Sequence, residues 1–223
     1  MVKAILFDLN GTMIDDMHYH TQAWFNIINN DLGANLTWQQ VEKEMYGKNA
    51  EVLTRVFGSD RFSQDKINQL SIEKEKRYQE AFFPKLKLID GLDKFLQAAK
   101  AKNIQMAIAS AAIPSNIRFV IDNLNISHLF GAIVSADDVE TSKPHPETFL
   151  KAAELLGVAP AECIVFEDAP KGVESAMNAG MKAVVLTTMH EQHEFSQYTN
   201  IIAFAKDYND PFFSRLLAEE MAA

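Results

Sequence analysis

Six short apolar runs, each ending near a small or polar residue, constrain the fold of this 223-residue chain more than any other feature. Amphipathic stretches separate most of these runs, and this alternation is typical of a parallel β-sheet covered by helices. The strands are predicted at residues 3–8, 104–110, 132–135, 163–167, 183–187 and 201–205, and the helices at 92–102, 117–124, 147–156 and 171–179. We therefore predict an α/β fold with a doubly wound parallel sheet, that is, a Rossmann-like core.

The interval from residue 16 to about residue 83 interrupts this alternation. It has no convincing strand, and its apolar residues recur with helical spacing, as in Trp24, Phe25, Ile28 and Leu32. Pro84 marks the return to the strand-helix pattern. We predict an inserted all-helical cap domain of residues 16–83 and a core of residues 1–15 and 84–223.

Composition narrows the classes of partner. The formal net charge of −9 argues against nucleic acid and anionic membranes, which are bound chiefly through clustered Lys and Arg. The single cysteine, Cys163, lies in an apolar run, cannot form an intrachain disulfide and implies no oxidising compartment. No apolar run approaches membrane-spanning length. We expect a cytoplasmic monomer that binds a small molecule.

The sequence Asp8-Leu9-Asn10-Gly11-Thr12 directly follows the first predicted strand. Ligands of open α/β sheets bind beyond the carboxyl ends of the strands, so Asp8 is placed for chemistry by topology. The alternative is that Asp8 and Thr12 only cap the turn and the next segment. The pentapeptide alone leaves both interpretations open.

Three further signals accompany it. Ser110 ends the second predicted strand and, with the amide of Ala111, could bind a phosphoryl oxygen. Lys143 precedes two prolines and a helix, and Glu167-Asp168 ends another strand. A surface serine, a solvated lysine and an acidic helix cap would explain each one separately. Together they place a carboxylate nucleophile, a hydroxyl, a cation and a pair of acids at strand ends of one sheet.

In order and spacing, these four motifs resemble those of the haloacid dehalogenase superfamily, in the helical-cap subgroup that includes β-phosphoglucomutase and related phosphatases. The resemblance extends over essentially the whole chain. It implies a Mg²⁺-dependent enzyme in which Asp8 becomes an aspartyl-phosphate. The implied metal ligands are the carboxylates of Asp8 and Asp168 and the backbone carbonyl of Asn10, with Glu167 as a supporting acid.

The resemblance also implies the residues that hold the substrate. Lys143 and Ser110 would bind the phosphoryl group, with the amide of Ala111 and the turn at Gly11 and Thr12. The implied substrate contacts of the cap are His20, Lys48 and Lys74. For His20 the alternative is a helix residue that merely packs or hydrogen-bonds, and for Lys74 it is a solvated helix charge.

Asn10 departs from the family pattern. The family has a second carboxylate there, which protonates the leaving oxygen and then activates the acceptor, whereas an amide cannot exchange that proton. Loss of such general acid-base help costs about 10²–10⁴ in rate. Natural divergence, an engineered substitution and a binding protein without catalysis would each explain Asn10. Deamidation at Asn10-Gly11 is a further hypothesis, because it would regenerate a carboxylate.

A sugar-phosphate mutase must hold a second phosphate, so the residues that could bind one distinguish a mutase from a phosphatase. The mutase grips it with an arginine, and Ala50 occupies that position here, while residues 112–114 are Ala-Ile-Pro instead of polar groups. Lys48 and Asn49 could substitute for the arginine. We therefore predict a phosphohydrolase of a small phosphorylated metabolite, slowed by Asn10. The alternatives are a sugar-phosphate mutase and a non-catalytic protein that binds phosphorylated metabolites.

Overall fold

The computed structural model describes residues 2–219. It divides into two compact units, Met1–Asp15 with Lys87–Ala223, called here the core unit, and Asp16–Leu86, called here the helical insertion. Residues 84–86, which the sequence analysis assigned to the core, group with the helical insertion. A 3₁₀ turn, Phe83–Lys85, continues the last helix of the insertion and accounts for this difference.

One parallel sheet organises the core unit. Its strands, in chain order, are β1 (Ala4–Phe7), β2 (Gln105–Ala109), β3 (Ala132–Val134), β4 (Cys163–Glu167), β5 (Lys182–Leu186) and β6 (Ile201–Ala205). The spatial order is β3-β2-β1-β4-β5-β6, and every neighbouring pair is parallel. The predicted fold class is confirmed, and each predicted strand coincides with an observed one to within two residues at its ends.

The helical insertion contains α1 (Met17–Phe25), α2 (Trp38–Glu42), α3 (Asn49–Phe57) and α4 (Gln64–Phe82). A π-helical segment, Asn26–Asp31, continues α1. Its apolar cluster includes Trp24, Ile28, Val41 and Leu70, as the helical spacing predicted. Both tryptophans of the chain, at positions 24 and 38, lie in this unit.

The core unit adds α5 (Leu92–Ala101), α6 (Pro114–Asn123), α7 (Glu147–Leu156), α8 (Pro170–Asn178) and α9 (Pro211–Glu219). Helix α6 begins three residues before its predicted start, because a proline is well accommodated in the first turn. Gly157 ends α7 with a φ of +66°, the left-handed conformation that glycine commonly adopts at the end of a helix. Within residues 2–219, no helix has both the length and the apolarity that a membrane crossing requires.

The sheet is buried on both faces, so its strands read as continuous apolar runs. Leu6 and Val165 belong to one apolar cluster together with Phe149 of α7. At the next position of the same two strands, Phe7 and Phe166 pack edge to face, with ring centroids 5.1 Å apart. Cys163 is likewise buried as expected, and burial raises the pKa of its thiol to about 11.

Candidate active site

The candidate site lies where the strand order of the sheet reverses. Strands β2 and β4 flank β1, so the residues that follow these three strands share one edge. Asp8 directly follows β1, and its amide donates to the carbonyl of Phe166 in β4 at 2.9 Å. Open α/β sheets bind ligands at such a switch point. The register of the strands therefore brings Asp8 beside Glu167 and Asp168.

Lys143 is the centre of the site's hydrogen bonds. Its Nζ lies 2.7 Å from Asp8 Oδ1, 2.8 Å from Glu167 Oε1 and 3.2 Å from the carbonyl oxygen of Ala109. Burial alone would lower the pKa of Lys143, but the charges of Asp8 and Glu167 outweigh it and raise the pKa. The lysine is therefore an ammonium ion held between two carboxylates, and it is not a solvated surface charge.

Glu167 is a fully engaged carboxylate. Its Oε1 accepts from Lys143, and its Oε2 accepts the backbone amides of Asp168 and Ala169, both at 2.8 Å. Helix α8 leaves room for it at Gly172, where a Cβ would overlap the carboxylate. With both oxygens bonded within the protein, Glu167 positions Lys143 and the following loop. In the predicted metal-ligand set, Glu167 therefore keeps the role of a supporting acid.

Asp168 is 5% exposed and lies against the turn after β1. The hydroxyl of Thr12 donates to its Oδ1 at 3.3 Å, and a Cβ at Gly11 would overlap its carboxylate. Burial and then the charges of Glu167 and Asp8 raise the pKa of Asp168 well above its usual range. Thr12 is itself fully buried and its hydroxyl orients Asp168, while its predicted contact with a phosphoryl group stays a prediction.

The turn that carries Asn10 is fixed by backbone hydrogen bonds. The carbonyl of Leu9 accepts the amide of Met13 at 2.8 Å, and the Gly11 amide donates to the carbonyl of Ile14 at 2.8 Å. Gly11 adopts φ +76°, a conformation that favours glycine. Deamidation would need the Gly11 amide nitrogen to attack the side chain of Asn10. Because that amide is committed to Ile14, the turn opposes the deamidation hypothesis.

Two residues that the sequence analysis missed hold this turn in place. The hydroxyl of Thr188 donates to the carbonyl of Gly11 at 2.6 Å, and the hydroxyl of Tyr208 donates to the carbonyl of Thr12 at 3.0 Å. Both follow strands at the same edge of the sheet, after β5 and β6. Their position at strand ends was the only sequence signal that could have found them.

Ser110 lies at the end of β2, as predicted. Its amide donates to the carbonyl of Val134, and its Oγ accepts the amide of Ala112 at 3.1 Å. The side chain is buried, and Ala111 beside it is half-buried. In this contact the hydroxyl oxygen of Ser110 is the acceptor. The contact therefore does not use the hydroxyl proton.

A divalent cation suits the charges of this site. Asp8, Glu167 and Asp168 are three buried carboxylates that face one ammonium, which leaves two negative charges uncompensated when all are ionised. Within residues 2–219, no three His, Cys, Asp or Glu side chains form a metal-binding group by themselves. Mg²⁺ commonly takes only one or two carboxylates and completes its shell with phosphate and water. The oxygen donors present fit that habit.

A second polar cluster lies inside the helical insertion and contains two of the predicted substrate contacts. Lys74 Nζ lies 2.6 Å from His20 Nδ1 and 3.1 Å from both carboxylate oxygens of Glu75. His20 Nε2 lies 3.3 Å from Asp16 Oδ2, which also accepts the hydroxyl of Tyr78. Lys74 is only 4% exposed. The solvated-charge alternative for Lys74 is therefore wrong.

The same cluster constrains the other candidates in this unit. Burial lowers the pKa of Lys74, and the charge of Glu75 opposes that shift. Asn49 donates to Glu75 Oε1 at 2.6 Å, so its amide is committed to this carboxylate. Lys48 immediately precedes α3 and is half-buried, and its backbone amide donates to Glu51.

Comparison with known proteins relates this geometry to a family. A family model described as haloacid dehalogenase-like hydrolase matches residues 5–186. The β-phosphoglucomutase of Bacillus subtilis is 31% identical over 189 residues, which cover 82% of each chain. The fructose-1-phosphate phosphatase of Escherichia coli is 29% identical over 81% of this chain and 94% of its own.

The solved structures agree at the level of the whole chain. The crystal structure of β-phosphoglucomutase from Clostridium difficile superimposes with a TM-score of 0.83 at 25% identity and covers 100% of both chains. The fold, the strand-end motifs and these similarities lead to one conclusion: the chain belongs to the haloacid dehalogenase-like hydrolase family of enzymes.

Proposed function

We propose that this protein is a Mg²⁺-dependent phosphohydrolase that acts on a small sugar-phosphate-like metabolite through an aspartyl-phosphate on Asp8. The observation that carries the proposal is the buried ion pair between Lys143 and Asp8, 2.7 Å long, at the switch point of the sheet. A cation that fixes one oxygen of a buried carboxylate orients it as a nucleophile. The same cation can bind a phosphoryl oxygen as negative charge develops.

Each residue at the site has a distinct task in this proposal. Asp8 attacks phosphorus, and Lys143 neutralises charge on the phosphoryl oxygens. Ser110 donates its hydroxyl proton to one of those oxygens. Glu167 keeps Lys143 in place through its own contacts with backbone amides. Asp8 and Asp168, with the carbonyl of residue 10, would hold Mg²⁺, which when bound supplies further charge neutralisation.

Asn10 limits the rate in this proposal. Its amide can accept and donate hydrogen bonds, but it cannot give a proton to a leaving alkoxide or take one from water. Restoring a carboxylate should therefore raise turnover by about 10²–10⁴. The backbone of the turn is held by Ile14, Thr188 and Tyr208, none of which depends on the side chain at position 10.

Phosphatase is the first candidate because Ala50 and residues 112–114, which correspond to the mutase's contacts with a second phosphate, have no polar side chain. The segment after Ser110 presents Ala112 and Ile113 before helix α6 begins at Pro114. Asn49, one possible substitute for the mutase arginine, is bonded to Glu75. The 31% identity with a β-phosphoglucomutase supports a sugar-phosphate mutase as the second candidate.

The test is turnover of a panel of sugar monophosphates with Mg²⁺, measured as phosphate release. We expect slow turnover by the native chain, faster turnover by Asn10→Asp and none by Asp8→Asn. Chelation of Mg²⁺ should abolish activity in every active form. The proposal fails if Asn10→Asp turns over no member of the panel, or if turnover survives Asp8→Asn.

Glucose 1-phosphate with a bisphosphate primer separates the two candidate reactions. A phosphatase releases inorganic phosphate and free sugar. A mutase returns glucose 6-phosphate without net phosphate release. Both products can be quantified in one reaction with Asn10→Asp, whose greater rate makes minor products measurable.

A further inference from the structure

We propose that this chain accepts phosphoryl groups from acyl phosphates on Asp8 and keeps them there, because Asn10 permits only reactions that need no proton transfer. The inference rests on the proposed role of Asp8 as nucleophile. It adds a class of donor, the mixed anhydride of a carboxylic acid with phosphate. It also adds a lasting product, the phosphorylated protein.

The leaving group decides which donors can react. A sugar phosphate ester must expel an alkoxide, which needs a proton as the bond breaks. An acyl phosphate expels a carboxylate, whose conjugate acid has a pKa near that of Asp or Glu, about 4. Such a leaving group is stable at neutral pH without a proton. The missing acid at Asn10 therefore penalises esters and spares anhydrides.

Among the described residues of the core unit, neither Lys143 nor a histidine takes the place of the missing acid. The Lys143 ammonium is shared among Asp8, Glu167 and the carbonyl of Ala109. His145 is half-exposed beside Glu147, and His190 pairs with Glu194. His128 and His193 are exposed.

The helical insertion contains two histidines: His18 is exposed and packs against Trp38, and His20 is committed to partners within the insertion. His20 Nδ1 lies 2.6 Å from Lys74, and its Nε2 lies 3.3 Å from Asp16. Its ring stacks on Tyr78 with centroids 3.7 Å apart. Both ring nitrogens thus have partners within the insertion.

The transfer balances without a proton. A carboxylate oxygen of Asp8 forms a bond to phosphorus, and the bond between phosphorus and the anhydride oxygen breaks. The electron pair of that bond stays with the departing carboxylate. One acyl phosphate is consumed and another is formed, so the bond types match on both sides of the reaction.

Phospho-Asp8 persists because its hydrolysis, like the reaction of an ester, needs a proton transfer that Asn10 cannot provide. Hydrolysis of phospho-Asp8 requires a water that loses its proton as it attacks, and Asn10 cannot accept that proton. We expect the phosphorylated native chain to outlive that of Asn10→Asp by about 10²–10⁴.

The experiment incubates the full chain with Mg²⁺ and acetyl phosphate and follows intact mass. A gain of one phosphoryl group that hydroxylamine removes identifies an acyl phosphate on the protein. Glucose 6-phosphate at equal concentration is the ester arm. Asp8→Asn tests the acceptor, and Asp15→Asn is the matched control because Asp15 is an exposed aspartate outside the site.

We expect labelling by acetyl phosphate in the native chain and in Asp15→Asn, none in Asp8→Asn, and rapid loss of label in Asn10→Asp. Labelling from glucose 6-phosphate as fast as from acetyl phosphate would overturn the inference, since proton transfer would not be limiting. If acetyl phosphate gives no label while Asn10→Asp turns over sugar phosphates, the inference fails and the proposed function stands. If neither occurs, the nucleophile assignment fails and both fall.

Discussion

Replacing Lys143 by methionine tests the electrostatic account of the site most directly. Met preserves much of the side-chain volume, so the change removes mainly the ammonium ion. Opposite unit charges at 2.7–2.8 Å attract by about 6 kcal/mol for each pair at an effective dielectric constant of 20. Desolvation offsets much of that attraction, at several kcal/mol for each buried ion. Breaking the cluster should therefore cost about 3–5 kcal/mol in the free energy of unfolding.

The chain offers a matched control. Lys3 and Glu162 form an ion pair of the same 2.8 Å length as Lys143 and Glu167, but their side chains are 55% and 34% exposed. Exposed pairs contribute at most about 1 kcal/mol, so Lys3→Met should change stability little. Since the distance is shared, the difference between the two variants measures the effect of burial and of the neighbouring Asp8.

The assay must report on the core unit. Trp24 and Trp38 both lie in the helical insertion, so tryptophan fluorescence would follow that unit instead. Hydrogen exchange of the β1 and β4 amides in increasing urea gives the stability of the core directly. Adding Glu167→Gln to Lys143→Met should recover part of the loss, because it removes one uncompensated charge. Equal losses in Lys143→Met and Lys3→Met would refute the reasoning.

Two further substitutions have matched partners in the chain. Gly11→Ala should lower the free energy of unfolding more than Gly157→Ala does, and it should also weaken Mg²⁺ binding measured by calorimetry. Both glycines have positive φ, but only at Gly11 would a Cβ overlap a carboxylate of the site. Equal costs would contradict that explanation. Glu75→Gln should destabilise the insertion by about 2–4 kcal/mol at neutral pH, because it leaves the Lys74 ammonium buried without its carboxylate. The 43%-exposed Glu73 provides the control Glu73→Gln. Folding lowers the pKa of Lys74, so the stability lost in Glu75→Gln should decrease as pH rises toward 10.5 and the ammonium loses its proton. A loss of stability that does not change with pH in tryptophan-monitored unfolding would refute this.

Strand ends are the part of this molecule that the sequence predicts well. A run such as residues 163–167 has the length and apolarity of a strand buried on both faces, and the acids after it must then lie at the ligand-binding edge. Asp8, Ser110 and Asp168 could all be found in this way. Their shared edge follows from topology, without knowledge of any side-chain conformation.

The partners of those residues could not be predicted in the same way. Thr12 could have faced a phosphate or Asp168, and only the rotamer in the folded turn decides between them. Thr188 and Tyr208 reach that turn from 177 and 196 residues away in sequence, through contacts with backbone carbonyls that leave no pattern in the chain. The solvated-charge alternative for Lys74 stayed open because helical spacing does not show that Glu75, its neighbour in sequence, turns toward the same buried region.

Asn10 is best understood from the charge of its surroundings. The site already holds more carboxylate than ammonium, and burial together with the neighbouring charges raises the pKa of Asp168. A further carboxylate at position 10 would add repulsion in the absence of a cation, whereas an amide adds none. The turn itself is held by backbone hydrogen bonds, so we expect an aspartate at position 10 to leave its conformation unchanged. In the proposed mechanism, an amide at position 10 therefore lowers the electrostatic cost of the folded site and leaves it without a proton-transfer group, so we expect phosphoryl acceptance and slow turnover together.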